Sequence, residues 1–118
     1  MKYMLMLYAN EQGGAELPPE MMAKAMQQMG AYQQALEKAG AFIGTAALMP
    51  TTAARTITNY EGQLKVEDGP YAESREQFGG YFMIEARDMD HAIELAAQCP
   101  AATWGPVEIR PFHPEYEP

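Results

Sequence analysis

The chain has 118 residues, a single cysteine and 16 acidic against 8 basic side chains, giving a formal net charge of −8 at pH 7. That length is one domain, long enough to bury a core without staples. The lone Cys99 excludes an intrachain disulfide and a cysteine-rich zinc site, and the scattered lysines and arginines form no basic stripe, which argues against direct nucleic-acid binding.

Lys2 to Ala9 reads as a first strand, a nearly continuous apolar run that expects burial on both faces. Asn10 and Glu11 end it after too few residues to span a membrane, and no targeting pattern follows. With one cysteine and no such signal, the expected compartment is the reducing cytoplasm. Asn10 to Leu17 reads as a loop. Pro18-Pro19-Glu20 then opens a helix, since proline suits a first turn whose N–H groups have no partner and glutamate suits the positive end of the helix dipole. This helix is expected to run to Ala39, with Gly40 as a left-handed stop. Met22, Ala25, Met26, Met29, Tyr32 and Leu36 recur at helical spacing, so they are expected to pack as a core stripe.

Ala41 to Leu48 reads as a second strand, broken by Pro50-Thr51-Thr52. Ala54 to Tyr60 and Gln63 to Glu67 read as a hairpin turning at Glu61-Gly62, its alternation that of a half-exposed ribbon. Asp68 to Gly80 is a loop rich in special backbone positions, in which Ser74 and Gln77 have capping-box spacing and predict one short helical turn. Tyr81 to Ala86 is the next strand. Asp88 caps a second helix to about Gln98, where Pro100 bars continuation. Val107 to Phe112 is the last strand, and His113 to Pro118 a polar, frayed tail.

The order strand, helix, strand, hairpin, strand, helix, strand is the α+β, ferredoxin-like βαββαβ arrangement with an inserted β-hairpin. Both helices then share one face of the sheet. The other face needs a cover, and the economical one is a second copy packing sheet to sheet. A homodimer is therefore expected, with a cleft between sheet and ribbon or along the subunit interface.

Several side chains could carry chemistry there. Asp68 is either a general base or ligand-orienting acceptor in the cleft, or a residue that holds the Gly69-Pro70 turn, which either peptide isomer could form. Glu73 and Glu76, three apart, could divide acid and base roles or sit as solvated charges beside Arg75. Arg110 alternates with Val107 and Ile109 on the side of Glu108, as an ion-pair partner or as a bidentate anchor for an anionic ligand group. Tyr8, Tyr71 and Tyr81 could line a pocket with their hydroxyl tips, Tyr81 being the one placed in the core. Asp88, Asp90 and His91 fit a helix start better than a metal site. Cys99 lacks a nearby histidine to activate it. Gly79-Gly80 reads as a close approach of strands rather than a phosphate cradle. There is no phosphate loop, dinucleotide fingerprint or serine elbow, so no cofactor or metal is expected.

Asp68-Gly69-Pro70-Tyr71 is similar to the Asp-Gly-Pro-Phe signature of the YCII-related (DGPF-type) family of small bacterial proteins. The opening Met1 to Tyr8, Pro19-Glu20, Glu73 to Gln77 before Gly79-Gly80-Tyr81, Asp90-His91-Ala92, Pro100, Gly105 and Val107 to Pro111 extend the resemblance along nearly the whole chain. It implies a dimeric α/β barrel of ferredoxin-like subunits. In the family's YCII branch a first-helix histidine pairs with the signature aspartate. Asp68 matches that aspartate, but the helix from Pro19 to Ala39 has no histidine and Gln28 stands near its place, so that acid–base dyad is missing.

Two functions are thus expected from the residues and the resemblance. One is a small-molecule-binding protein or acid–base enzyme. Asp68 would serve proton transfer, Tyr71, Glu73, Glu76 and Tyr81 would line the site, and Arg110 would hold an anionic group of a small organic ligand. The alternative is a non-catalytic module that offers its ribbon or a helix face to a regulatory protein partner. Its link would be to sigma-factor-dependent transcription, because some relatives carry the domain fused to a sigma-factor-like region.

Overall fold

The computed structural model describes residues 1–118. Six strands and three helices follow in the order β1 (Lys2–Ala9), α1 (Glu11–Ala15), α2 (Pro19–Lys38), β2 (Phe42–Ala47), β3 (Arg55–Tyr60), β4 (Gln63–Asp68), β5 (Gln77–Glu85), α3 (Met89–Ala97) and β6 (Val107–Pro111). Short 3-10 turns at Thr51–Ala53 and Pro100–Thr103 complete the chain. No helix is long and apolar enough to cross a membrane.

Four strands form one antiparallel sheet in the order β2-β5-β1-β6, and β3-β4 form a separate two-stranded ribbon. Period-two alternation divides the sheet. Tyr3, Leu5, Phe82 and Ile84 point to one face and meet Tyr32 and Leu36 of α2 and Ala92, Leu95 and Ala96 of α3 in one core. Tyr32 packs edge-on to Phe82 with ring centroids 5.2 Å apart, and its hydroxyl donates to the Leu95 carbonyl at 2.8 Å, so the buried ring leaves no orphan donor. The opposite face holds Met4, Met6, Tyr81 and Met83 in register, Met4 beside Met83 and Met6 beside Tyr81. All four are only half-buried.

Local chemistry explains where elements stop. Gly40 takes φ +70°, its N–H bonds to the Glu37 carbonyl at 3.1 Å and Ala41 N–H to Leu36 at 2.9 Å, a complete Schellman end for α2. Asp88 accepts the His91 N–H at 2.8 Å at the start of α3. Glu61 and Gly62 both have positive φ, the geometry of a two-residue type I′ hairpin turn.

Four expectations change. The 10–17 segment is not all loop, because the Asn10 side chain accepts the Gly13 N–H at 2.7 Å and nucleates α1. No helical turn forms at Ser74–Gln77. There the Gln77 side chain donates to the Ser74 carbonyl at 2.6 Å while its backbone already begins β5. The methionine stripe of α2 is core only in part. Met22 and Met26 are 40% and 67% exposed, Ala25 and Met29 are half-buried, and only Tyr32 and Leu36 are fully buried, because a 20-residue helix of roughly 30 Å outruns the core it covers. Tyr81 faces away from the helices, since Phe82 and Ile84 take the core positions of β5. In addition, every peptide is trans, Gly69–Pro70 included. The tail folds back, with Lys2 Nζ donating to the Pro118 carbonyl.

Two glycines are required by close approach. A Cβ on Gly80 would lie 2.9 Å from the Ala46 carbonyl oxygen, which answers the expectation of strands meeting there. A Cβ on Gly105 would lie 1.8 Å from the Tyr8 carbonyl oxygen and 2.9 Å from its carbon. Those are backbone atoms of a paired strand and cannot swing aside. Gly105→Ala is therefore expected to cost ~3 kcal/mol or more, read as a fall in the urea midpoint at unchanged slope. A variant of wild-type stability would disprove the tight seam between the Gly105 turn and β1.

Candidate functional site

A cleft of about 770 Å³ opens where the end of β1, the β2–β3 connection and the loop from Pro70 to Phe78 come together. Tyr8 and Phe78 form its floor, their rings 5.7 Å apart. Leu48, Met49 and Pro50 supply an apolar wall, and Glu73 and Glu76 stand on the loop opposite.

Asn10 and Glu11 tie these walls together. The Glu11 carboxylate accepts the Thr51 N–H at 2.8 Å and the Thr51 hydroxyl at 2.7 Å. Glu11 N–H donates to Gln77 Oε1 at 2.9 Å, and Asn10 Nδ2 donates to the Arg75 carbonyl at 3.1 Å. A single dipeptide after β1 thus fixes both the Thr51 turn and the signature loop. Sequence reasoning missed both residues. The only signal was the Asn10-x-x-Gly13 spacing of a helix cap. Further along, Gly69 (φ +96°) donates to the Ala54 carbonyl at 2.9 Å, and Thr56 Oγ1 donates to the Gly69 carbonyl at 2.9 Å. These bonds anchor the signature turn to the base of the ribbon.

The expected site residues fall into three places. Glu73 and Glu76 line the cleft, and neither belongs to any of the chain's three ion pairs. Asp68 lies at the ribbon's end, its carboxylate 3.0 Å from Arg55 Nε and its side chain 89% exposed. Tyr71 is exposed beside a polar hollow of about 290 Å³ on the ribbon, next to Thr58, Lys65 and Glu67. Tyr81 and Arg110 sit on the uncovered sheet face, Tyr81 beside Met6 and Arg110 beside Met4. Gln28 lines a separate groove between α2 and the Pro100–Thr103 turn.

The anticipated Glu108–Arg110 pair does not form. Glu108 instead accepts from the Tyr8 hydroxyl at 3.3 Å, because register places Glu108 beside Met6, nearer the Tyr8 end of β1. Burial pushes the Tyr8 phenol above its ordinary value, the Glu108 carboxylate raises it further by charge and hydrogen bond, and Arg110 partly offsets this. Burial likewise pushes the Cys99 thiol above its ordinary value, with hydrogen bonds from the Ala101 and Ala102 backbone partly offsetting it. His91 Nδ1 accepts the Arg87 N–H at 3.0 Å and so belongs to the α3 start.

Two outcomes check this geometry. Removing the clamp in Glu11→Ala strands the Thr51 donors and should cost ~2 kcal/mol, with faster amide exchange at Thr51. Wild-type exchange there would show that the clamp is idle. The raised Tyr8 value means the folded state favours the protonated phenol. Its contribution is complete below the unfolded-state value and is lost as pH rises through the folded one. Tyr8, followed by carbon-13 NMR of its ring, should thus ionise later than a free tyrosine. Glu108→Gln should move its midpoint part of the way back, since burial remains; an unmoved midpoint would remove Glu108 from the account.

Comparison with known proteins gives the family. The family model described as the YCII-related domain matches residues 1–115. An uncharacterised protein of Rhizobium meliloti (strain 1021) is 33% identical over 114 residues, covering 95% of this chain and 92% of that protein. Matched from the first strand to beyond the last, the chain belongs to the YCII-related family.

Proposed function

We propose that this protein binds a small, largely apolar organic molecule bearing a cationic or hydrogen-bond-donating group, in the cleft beside the signature loop. One observation carries the reading. The cleft joins an apolar wall to two unpaired carboxylates, Glu73 and Glu76, and none of its 14 lining residues is basic. Its volume lies in the range of small-ligand sites. Carboxylates at the rim favour a cation and oppose an anion. The ligand class therefore moves away from the anionic compound that Arg110 would have held, because Arg110 lies on the sheet face rather than in the cleft.

The frame of the proposal is a homodimer of ferredoxin-like subunits forming an α/β barrel. Its support is the strand order β2-β5-β1-β6 and the half-buried Met4, Met6, Tyr81 and Met83 left without a cover. In this frame Asp68 serves proton transfer only if the second subunit covers the Arg55–Asp68 pair, since water reaches it in a single chain. The second reading, a regulatory interaction module, has the bare β3–β4 ribbon in its favour, with Ile57 and Leu64 each 65% exposed.

A matched pair of probes tests the first reading. Hexylammonium should raise the unfolding midpoint, by the equivalent of ~1.4 kcal/mol at ten times its Kd, while hexanoate should not. Replacing both Glu73→Gln and Glu76→Gln should abolish the difference without altering the unliganded midpoint. Equal or better stabilisation by hexanoate would refute the assignment.

A further inference from the structure

The ribbon is the least supported element of the chain. It shares no strand pairing with the four-stranded sheet, and its extensive contacts are internal. Register sorts its side chains cleanly. Arg55 faces Asp68, Ile57 faces Val66 and Asn59 faces Leu64 on one side; Thr56, Thr58, Tyr60, Gln63, Lys65 and Glu67 share the other. The first side carries an apolar strip of Ile57, Val66 and Leu64, at 65%, 58% and 65% exposure, flanked by Asn59 and the Arg55–Asp68 pair. It carries no net charge, because its one cation and one anion pair with each other at 3.0 Å. A two-stranded hairpin by itself is marginal in water, so this strip needs a cover that is present whenever the chain is folded.

The surface area shows how much of the whole chain is left uncovered. The chain exposes 8486 Å², where a compact monomer of 13.1 kDa exposes roughly 6,400 Å². Its radius of gyration is 16.2 Å against about 13.5 Å for a compact chain of this length. The surplus of roughly 2,000 Å² exceeds one partner's share of a standard interface, about 800 Å², and matches an obligate one. A second copy is the partner available in fixed ratio at all times, and the neutral strip is a surface on which an otherwise acidic chain can meet itself.

We propose that the β3–β4 ribbon is a clasp, its Ile57–Leu64–Val66 face packing onto a second copy of this chain. The proposal rests on the homodimer reading above and adds the element that does the holding. By two-fold symmetry each copy gives one ribbon and receives one. The clasp also reaches the cleft. Pro70 lines both the cleft and the hollow on the ribbon's polar side, and the Gly69 backbone is bonded to Ala54 and Thr56 at the ribbon's base. Seating the ribbon therefore steadies the loop that carries Glu73 and Glu76.

Sedimentation equilibrium and hydrogen exchange on the full chain test this. The wild type should be dimeric at micromolar concentration, with 55–68 amides whose protection falls on dilution. Ile57→Thr/Leu64→Thr/Val66→Thr keeps strand-compatible residues on a face already exposed within one chain, so far-UV circular dichroism should be unchanged. The dimer Kd should rise at least 100-fold. A monomeric wild type overturns the clasp and the dimer together. A dimer whose Kd ignores the triple substitution overturns the clasp alone. A dimer whose ribbon amides stay unprotected at every concentration also overturns it and leaves the strip to a different polypeptide. Hexylammonium binding is read separately, so its failure would be the cleft's and not the clasp's.

Discussion

One constraint governs this molecule: α2 and α3 cover the same face of a four-stranded sheet. The core is therefore one layer of contacts between Tyr3, Leu5, Phe82 and Ile84 below and Tyr32, Leu36, Leu95 and neighbouring alanines above. The rest of the shape follows. The molecule is a slab of 48 × 43 × 18 Å. The core is made of aliphatic and aromatic side chains and Cys99, and no charged side chain is buried, so the interior holds the fold through area removed from water rather than through ion pairs. The apolar groups on the far face are half-buried, and Ile57, Leu64 and Val66 on the ribbon are exposed.

The same one-sidedness locates the cleft. Connections at one end of the sheet converge where β1 ends and β5 begins, and most polar side chains there bond to backbone groups. Glu11 shows the economy of this. Its carboxylate satisfies the N–H and hydroxyl of Thr51, while its own N–H is satisfied by Gln77. Loop backbone near a sheet end is left without ladder partners, and short polar clamps of this kind replace them. The cleft is consequently built on fixed walls, although it is made almost wholly of connecting segments.

Charge then separates the possible chemistries. Glu73 and Glu76 have no cation, while Asp68 and Glu67 have Arg55 and Lys65. Carboxylates that sequence alone would group together therefore differ in availability. Those paired along the ribbon are exposed and screened by solvent. Those beside the apolar wall of the cleft are free to meet a ligand.

Much of the secondary structure was legible. Apolar runs and alternation located all six strands, five to within a residue and β5 four residues late at its start; proline and glycine marked both ends of α2, and Glu61-Gly62 marked the hairpin turn, because these signals act over a few neighbouring residues. The signature loop was legible as a special segment because its glycines, proline and carboxylates cluster between Asp68 and Gly80. What lay beyond reach depended on partners distant in the chain. Glu11 gains its meaning from Thr51 and Gln77, and Tyr8 from Phe78 and Glu108. Met22 and Met26 have the spacing of a core stripe, yet periodicity states which side of a helix is apolar and not how far the sheet beneath it extends. Asp68 and Arg110 were grouped by chemical type, but pairing register put one opposite Arg55 on the ribbon and the other opposite Met4 on the sheet. Sequence by itself determined the six strands, the two long helices and the hairpin turn, which are set by local sterics and hydrogen bonding. Only the tertiary structure decided which carboxylates share a cavity, because that depends on the register and layering of strands far apart in the chain.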